Sequence, residues 1–273
     1  MSVADDRPST SVIVQLVLVA TWNVNSLNAR IPRVEQWLAE VRPEVLCLQE
    51  TKLADEAFPS ELFESEGYEV VHHGQGQWNG VAIASRIGLA DPIAGFADGR
   101  EADTDARLVS ARCGTVRVHS VYVPNGREVG HEHYHYKLGW LGRLRDHLDA
   151  TTSPDEDVIV AGDWNIAPTD IDVWDRPTFE GLTHVTPEER AALAAVVDWG
   201  LVDTFRARYE DGGLFSYYDY QAGRFHKRQG MRIDYVLSSA SLAARSRLDL
   251  VDRNARKGTK PSDHAPVLAG FAD

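Results

Sequence analysis

The sequence predicts an α+β domain in which two β-sheets pack face to face with helices outside. Three observations carry that expectation. Short apolar, β-rich runs recur along the chain, segments of helical period lie between them, and neither a long linker nor an internal repeat divides it. The runs are residues 12–20, 45–48, 81–84, 116–123, 158–161 and 233–237, each bounded by Gly, Pro, Asn or Asp, the punctuation of strands. The segment 32–40 reads as a helix because Pro32 stands at its first turn and Val34, Trp37 and Leu38 follow at helical spacing. Residues 136–150 and 187–197 read the same way. Residues 1–11 are polar, with Pro8 and several Ser and Thr, and are expected to form a flexible tail ahead of one domain over 12–273. Periodicity alone leaves a doubly wound parallel sheet open as an alternative.

Composition narrows the class of protein. With 43% hydrophobic and 25% charged residues the chain is too apolar for disorder, and 273 residues can bury a sizeable core. Cys47 and Cys113, each in an apolar run, are too few for a disulfide framework or a zinc ribbon. Buried, reduced thiols suit a cytoplasmic location. The apolar stretch 12–20 is interrupted by Gln15 and is too short to span a bilayer. It follows Asp5 and Asp6 with Arg7 as the one nearby positive charge, a poor entry to a signal peptide. No membrane association is expected, and nothing demands an oligomer, so a monomer is expected. The net charge of −13 argues against a protein that coats nucleic acid non-specifically. It leaves room for an enzyme that meets DNA on one basic face and holds a cation in a nest of carboxylates.

The most informative feature is where acids and amides fall. Asn23 and Asn25 follow the first run, Glu50 the second, and Asp163 and Asn165 the run 158–161. Asp234 sits inside Arg232-Ile233-Asp234-Tyr235-Val236, and Asp263-His264 precede the apolar end of the chain. Oxygen-rich groups delivered from several strand ends are what a hard divalent cation needs. Each residue alone has a plainer reading: a turn former for Asn23, a surface acid for Glu50, a turn or cap for Asp163. Asp234 resists one, because a carboxylate between Ile233 and Tyr235 is costly to bury without a partner. Arg232 is expected to point elsewhere, so His264 is the natural candidate partner.

Two other motifs fail on spacing. Gly74-Gln75-Gly76-Gln77-Trp78-Asn79-Gly80 has three residues between its last glycines and leads into a strand, so it is no dinucleotide fingerprint. His131-Glu132-His133-Tyr134-His135 has metal-ligand residue types, but alternation suits a strand while its surroundings read as loop and helix start; a solvated loop is expected. Ser262-Asp263-His264 is no serine-hydrolase triad, since adjacent side chains in extended chain diverge, and no G-x-S-x-G elbow occurs.

Taken in order, the strand-end stretches resemble the exonuclease III family of AP endonucleases, within the endonuclease/exonuclease/phosphatase superfamily. They are Thr21-Trp22-Asn23-Val24-Asn25-Ser26-Leu27, Leu48-Gln49-Glu50-Thr51-Lys52, Trp78-Asn79-Gly80-Val81-Ala82, Tyr122-Val123-Pro124-Asn125-Gly126, Gly162-Asp163-Trp164-Asn165-Ile166-Ala167-Pro168, Arg232-Ile233-Asp234-Tyr235 and Ser262-Asp263-His264-Ala265-Pro266. Any one is weak; together they span nearly the whole chain. The resemblance implies a four-layer α/β sandwich, dependence on Mg²⁺ or Mn²⁺, and duplex DNA with abasic sites or 3′ ends as substrate. It implies incision 5′ to abasic sites, 3′→5′ exonuclease action and removal of 3′ blocking groups.

Carried over by motif, Glu50 is the principal metal ligand, helped by Asn23 and Asp263, with Asp163, Asn165 and His264 completing the candidate set. Asp163 is implied as the proton-transfer residue, Asn165 as its phosphate-holding neighbour, Tyr122 as the active-site tyrosine, and Asp234 with His264 as the family's Asp–His pair. Arg30, Lys52, Arg107, Lys137, Arg224, Arg228 and Lys260 are candidate phosphate contacts, with Tyr217 and Met231 on the wall of an abasic-sugar pocket. Asn28 stands where relatives usually carry Arg, removing one such contact. Competing readings are a superfamily phosphatase on a non-DNA phosphoester, an exonuclease specialist, and a non-catalytic binding module. The complete set of acids, amides and histidine argues against the last.

Overall fold

The structure, a computed structural model, describes residues 16–273. The expected tail, residues 1–11, and the start of the first expected strand, 12–15, lie outside the described residues.

Two six-stranded sheets form the frame. The first contains β1 (Leu16–Asn23), β2 (Val45–Gln49), β3 (Glu69–His73) and β4 (Val81–Ser85), joined by the late strands β11 (Ser246–Val251) and β12 (Val267–Ala272) in the order β11-β12-β1-β2-β4-β3. The second contains β5 (Ala90–Ala94), β6 (Leu108–Cys113), β7 (Val116–Tyr122), β8 (Val158–Asp163), β9 (Leu201–Asp203) and β10 (Asp234–Ser239) in the order β5-β6-β7-β8-β10-β9. Each has one parallel pair at its centre, bridged by a helix: α1 (Leu27–Val41) joins β1 to β2, and, after the short α2 (Ser60–Glu64) between β2 and β3, α3 (Glu132–Thr151) joins β7 to β8. The remaining pairings are antiparallel, which excludes the doubly wound alternative. The two sheets thus share one plan that the sequence does not show as a repeat.

Strand alternation sorts the core into layers. Val19, Cys47, Ile83, Val118, Ile159 and Val236 meet between the sheets. The intervening residues Ala20, Trp22, Leu46 and Leu48 face outward onto Val34, Trp37 and Leu38 of α1. On the other side Trp140, Leu141 and Leu144 of α3, with Leu193 and Val196 of α4 (Pro187–Val197), cover the second sheet. Helix, sheet, sheet and helix make the four-layer sandwich expected from the resemblance. The helix expected over 187–197 matches α4, whose Thr186 and Glu189 form a reciprocal cap.

At one end the intersheet layer turns polar. Thr21 Oγ1 donates to Gln49 Oε1 at 3.1 Å, and Gln49 Nε2 reaches across to Ser120 Oγ on β7 at 3.2 Å. Beyond them the same inward face ends in Asn23, Asp163 and Asp234, all buried.

Candidate active site

Strand register places the first carboxylates. β8 and β10 run antiparallel with Asp163 directly opposite Asp234, and Tyr122 on β7 lies beside Asp163 in the parallel pairing. Like charges directly opposite on one face repel. His264 resolves the conflict: Nδ1 lies 2.8 Å from Asp234 Oδ2, and Nε2 lies 3.9 Å from Asp163 Oδ2. The pairing of Asp234 with His264 expected from burial is present, and Arg232 does point away, to Asp172 and Asp203. Ser216 Oγ also donates to Asp234 Oδ2 at 2.6 Å.

Electrostatics follow from that enclosure. Burial alone would lower the His264 imidazole, but the charges of Asp234 and Asp163 outweigh it and raise it to about 10, so the ring is an imidazolium. Burial, and then the charge of Asp234, push the Asp163 carboxyl up to about 7. Burial also works against Glu50, yet Lys52 and the hydrogen bond from Asn23 hold its carboxyl below the usual value. Burial and then Glu50 push the Tyr122 phenol well above its ordinary value, so it is a neutral donor.

Asn23 is the hinge of the cluster. Its Nδ2 donates to Glu50 Oε1 at 2.8 Å and to Asp163 Oδ2 at 2.9 Å, tying the two sheets' acids together. Asn165 donates from its backbone N–H to Asp163 Oδ1 at 3.0 Å and from Nδ2 to the Val123 carbonyl at 2.9 Å. Asn125 Nδ2 in turn donates to Asn165 Oδ1 at 3.2 Å.

The donor set suits a hard divalent cation. Glu50, Asp163 and His264 offer atoms within 4.8 Å of one another. The ammonium of Lys52 already lies 2.9 Å from Glu50 Oε2, a position where positive charge is wanted. Glu50, Asp163 and Asp234 bring more acids than the cations Lys52 and His264 bring charge, and oxygen ligands favour a hard divalent cation over softer metals. His264 stands in this group with Nδ1 turned to Asp234, so Nε2 is the atom it presents to Asp163 and the shared space. Asp263 is not in the converging group; its Oδ1 accepts from Asn25 Nδ2 at 3.1 Å.

The candidate phosphate contacts divide. Lys137 is fully buried, bonded to Glu189 Oε1 at 2.5 Å and to the Asn165 carbonyl at 2.6 Å, so it braces Asn165 and does not face DNA. Arg107 is also buried, paired with Asp105 at 2.8 Å and stacked 4.7 Å from the Tyr122 ring centroid, where it fixes the tyrosine. Lys52 is drawn to Glu50 and Asn25. Arg228 and Lys260 are exposed; Arg30 binds the Tyr220 hydroxyl at 2.7 Å. Arg224, Tyr217 and Met231 line a cavity of about 220 Å³ with Trp174, Phe179 and His184. The Tyr217 ring lies 4.9 Å from that of His264, so this cavity adjoins the acids. Ser216 and His184 escaped sequence reasoning. Ser216 lay inside an aromatic stretch, and His184 has no motif to mark it.

His131, Glu132 and His133 also converge, but as the cap and first turn of α3, not a loop. His131 Nδ1 accepts the His133 backbone N–H at 3.1 Å, which commits its lone pair to the cap.

Comparison with known proteins agrees with this geometry. Residues 20–264 match the model of the endonuclease/exonuclease/phosphatase family. The chain belongs to this family. Among its members, exodeoxyribonuclease III of Haemophilus influenzae is 34% identical over 266 residues, covering 92% of this chain and 98% of that protein. An AP endonuclease structure from Archaeoglobus fulgidus superposes with a TM-score of 0.90 at 35% identity, covering 93% of this chain and 99% of the other. A 3′ phosphatase from Neisseria, NExo, solved with a product DNA hairpin, gives 0.90 at 35% identity over 94% and 100%. This family member is a DNA repair nuclease of the exonuclease III type, a hydrolase of phosphodiester bonds.

Proposed function

We propose that this nuclease acts on duplex DNA with Mg²⁺ or Mn²⁺, cutting 5′ to abasic sites and removing 3′ nucleotides or 3′ blocking groups. The observation that carries this reading is the opposed Asp163–Asp234 pair bridged by charged His264, beside Glu50 and Asn23. Glu50 would hold the metal with Asn23, with Asp163 beside them, while Asp263 steadies Asn25 from outside. A cation bound there would supply positive charge to a phosphoryl oxygen.

The chain's own groups do the rest. Asp163, with its carboxyl near 7, is matched to exchanging a proton with water at neutral pH. Asn23 and the Asn165 backbone fix its two oxygens, so its direction is set before substrate arrives. His264 keeps its Nε2 proton because Asp234 holds the charged ring, and that proton is available to a phosphoryl oxygen. Tyr122 donates from the other side, held by Arg107. The cavity of Trp174, Phe179, Tyr217 and Met231 supplies an apolar wall that a sugar without its base can enter. Arg224 at that wall suits a terminal phosphate.

An end-labelled duplex carrying a tetrahydrofuran abasic analogue tests the proposal. A metal-dependent cut 5′ to the analogue, abolished by EDTA, is expected. A ladder from the 3′ end without that cut would restrict the protein to 3′ trimming, and no cleavage of either kind would overturn the reading.

A further inference from the structure

Glu50 leaves β2 with a left-handed backbone, φ +52°, and Lys52 repeats it at φ +54°. Neither is glycine, so the surroundings must impose this conformation. Backbone bonds supply part: Thr51 N–H donates to the Gly80 carbonyl at 3.1 Å and Lys52 N–H to that of Asn79 at 2.9 Å. Between them the Thr51 side chain is fully buried, and its hydroxyl lies 2.8 Å from His72 Nε2 on β3. On the far side of the ring, Asp55 Oδ1 lies 2.9 Å from His72 Nδ1, off the line of an ideal hydrogen bond. It also accepts the Gly74 N–H at 2.7 Å. Phe58 stacks on the imidazole at 4.4 Å.

A carboxylate only accepts, and its closeness to Nδ1 favours the tautomer with the proton there, in which Nε2 accepts from the Thr51 hydroxyl. Two glycines of the stretch 74–80 make room for it. A Cβ at Gly80 would come 2.1 Å from Thr51 Oγ1, and one at Gly74 would come 2.3 Å from the His72 ring and 2.1 Å from the Leu53 carbonyl.

We propose that Asp55, His72 and Thr51 form a positioning relay that holds the strained turn at Glu50, and with it the carboxylate's aim toward the metal. Gly74 and Gly80 are the backbone positions that admit it. The inference rests on the reading of Glu50 as a metal ligand. Loss of a partner that orients a ligating carboxylate weakens metal binding by about tenfold or more.

Mn²⁺ binding to the DNA-free protein, read by EPR as loss of the free-ion signal, tests it, with thermal melting alongside. Thr51→Val keeps the shape without the hydroxyl, and His72→Phe keeps the stack on Phe58 without the acceptor. Each is expected to weaken Mn²⁺ binding by about tenfold, while Thr51→Ser and His72→Gln, which keep a donor or an acceptor, restore it. Should one variant fail to melt cooperatively, the other decides. Glu50→Gln with weakened binding, but Thr51→Val and His72→Phe with wild-type binding, would overturn the relay alone, even if both melt earlier. Unchanged binding in Glu50→Gln would overturn the metal reading and the relay with it. Conservative variants as weak as the disruptive ones would show that the bond itself is immaterial.

Discussion

Two histidines of this nuclease are enclosed to a similar degree and end in opposite states. His147 on α3 accepts the Ala97 backbone N–H at Nδ1, 3.0 Å, and meets Ser110 Oγ at 3.2 Å through Nε2. Ser110 in turn lies 2.7 Å from His119 Nδ1, and the two rings meet edge to face. Burial pushes His147 down to about 4, with Asp98 and Arg117 acting in opposite directions, and pushes His119 well below its ordinary value. This trio is neutral. His264, equally enclosed, carries charge because Asp234 and Asp163 flank it. Enclosure alone expels a proton, and one well-aimed carboxylate with a second nearby reverses the sign. One arrangement fills a core; the other stores charge beside the acids of the candidate site.

The sharpest way to break this contrast is Asp234→Asn. Without that carboxylate His264 should move toward the neutral state of His147, with only Asp163 left to hold its charge. Turnover should fall roughly 10²–10⁴-fold, and NMR of the ring would report the protonation directly. A ring that stays charged, with turnover intact, would break the comparison.

Stability against pH offers a second, smaller effect. His147 has a folded-state pKa below its unfolded value, so its contribution is present above about pH 6.5 and is lost as pH falls toward 4, up to roughly 3 kcal/mol. His264 has the reverse sign: its contribution is present below about pH 6.5 and is lost as pH rises toward 10. Urea unfolding in EDTA should show both limbs. His147→Gln should flatten the acid limb, and His264→Gln the alkaline one.

The smallest effects belong to the exposed cations. Lys260→Ala and Arg228→Ala should each weaken DNA binding only a few-fold and reduce the salt slope by about 1. Lys137→Met, inside the fold, should leave that slope unchanged. A salt slope that drops with Lys137→Met would reverse the assignment of buried brace and exposed rim.

The six apolar runs read from the sequence coincide, within the described residues, with β1, β2, β4, β7, β8 and β10, strands with buried residues on both faces. Such strands announce themselves because nearly every residue must be apolar. β5, with Pro92 and exposed Ala90 and Asp91, and β11, with exposed Arg247 and Leu248, sit at sheet edges and carry no such signal. β12 is apolar but was legible only as the end of the chain. For the site, the order of acids and amides pointed to the right strand ends, because the turn leaving each strand has its own local residue pattern. Lys137 and Arg107 lie buried against Glu189 and Asp105, which the sequence does not show, since a cation's sequence neighbours do not reveal whether a buried acid awaits it.

The sequence by itself therefore determined the family, the central strands and which acids, amides and histidine stand at the strand ends, all of which are properties of local pattern and chemical type. Tertiary structure decided their states. Whether Asp163 opposes Asp234, whether His264 is charged, and whether Glu50 is held in a left-handed turn by His72 depend on register and on residues far along the chain. Charge interaction falls with distance and strengthens with burial, and both quantities exist only once the two sheets have closed on each other.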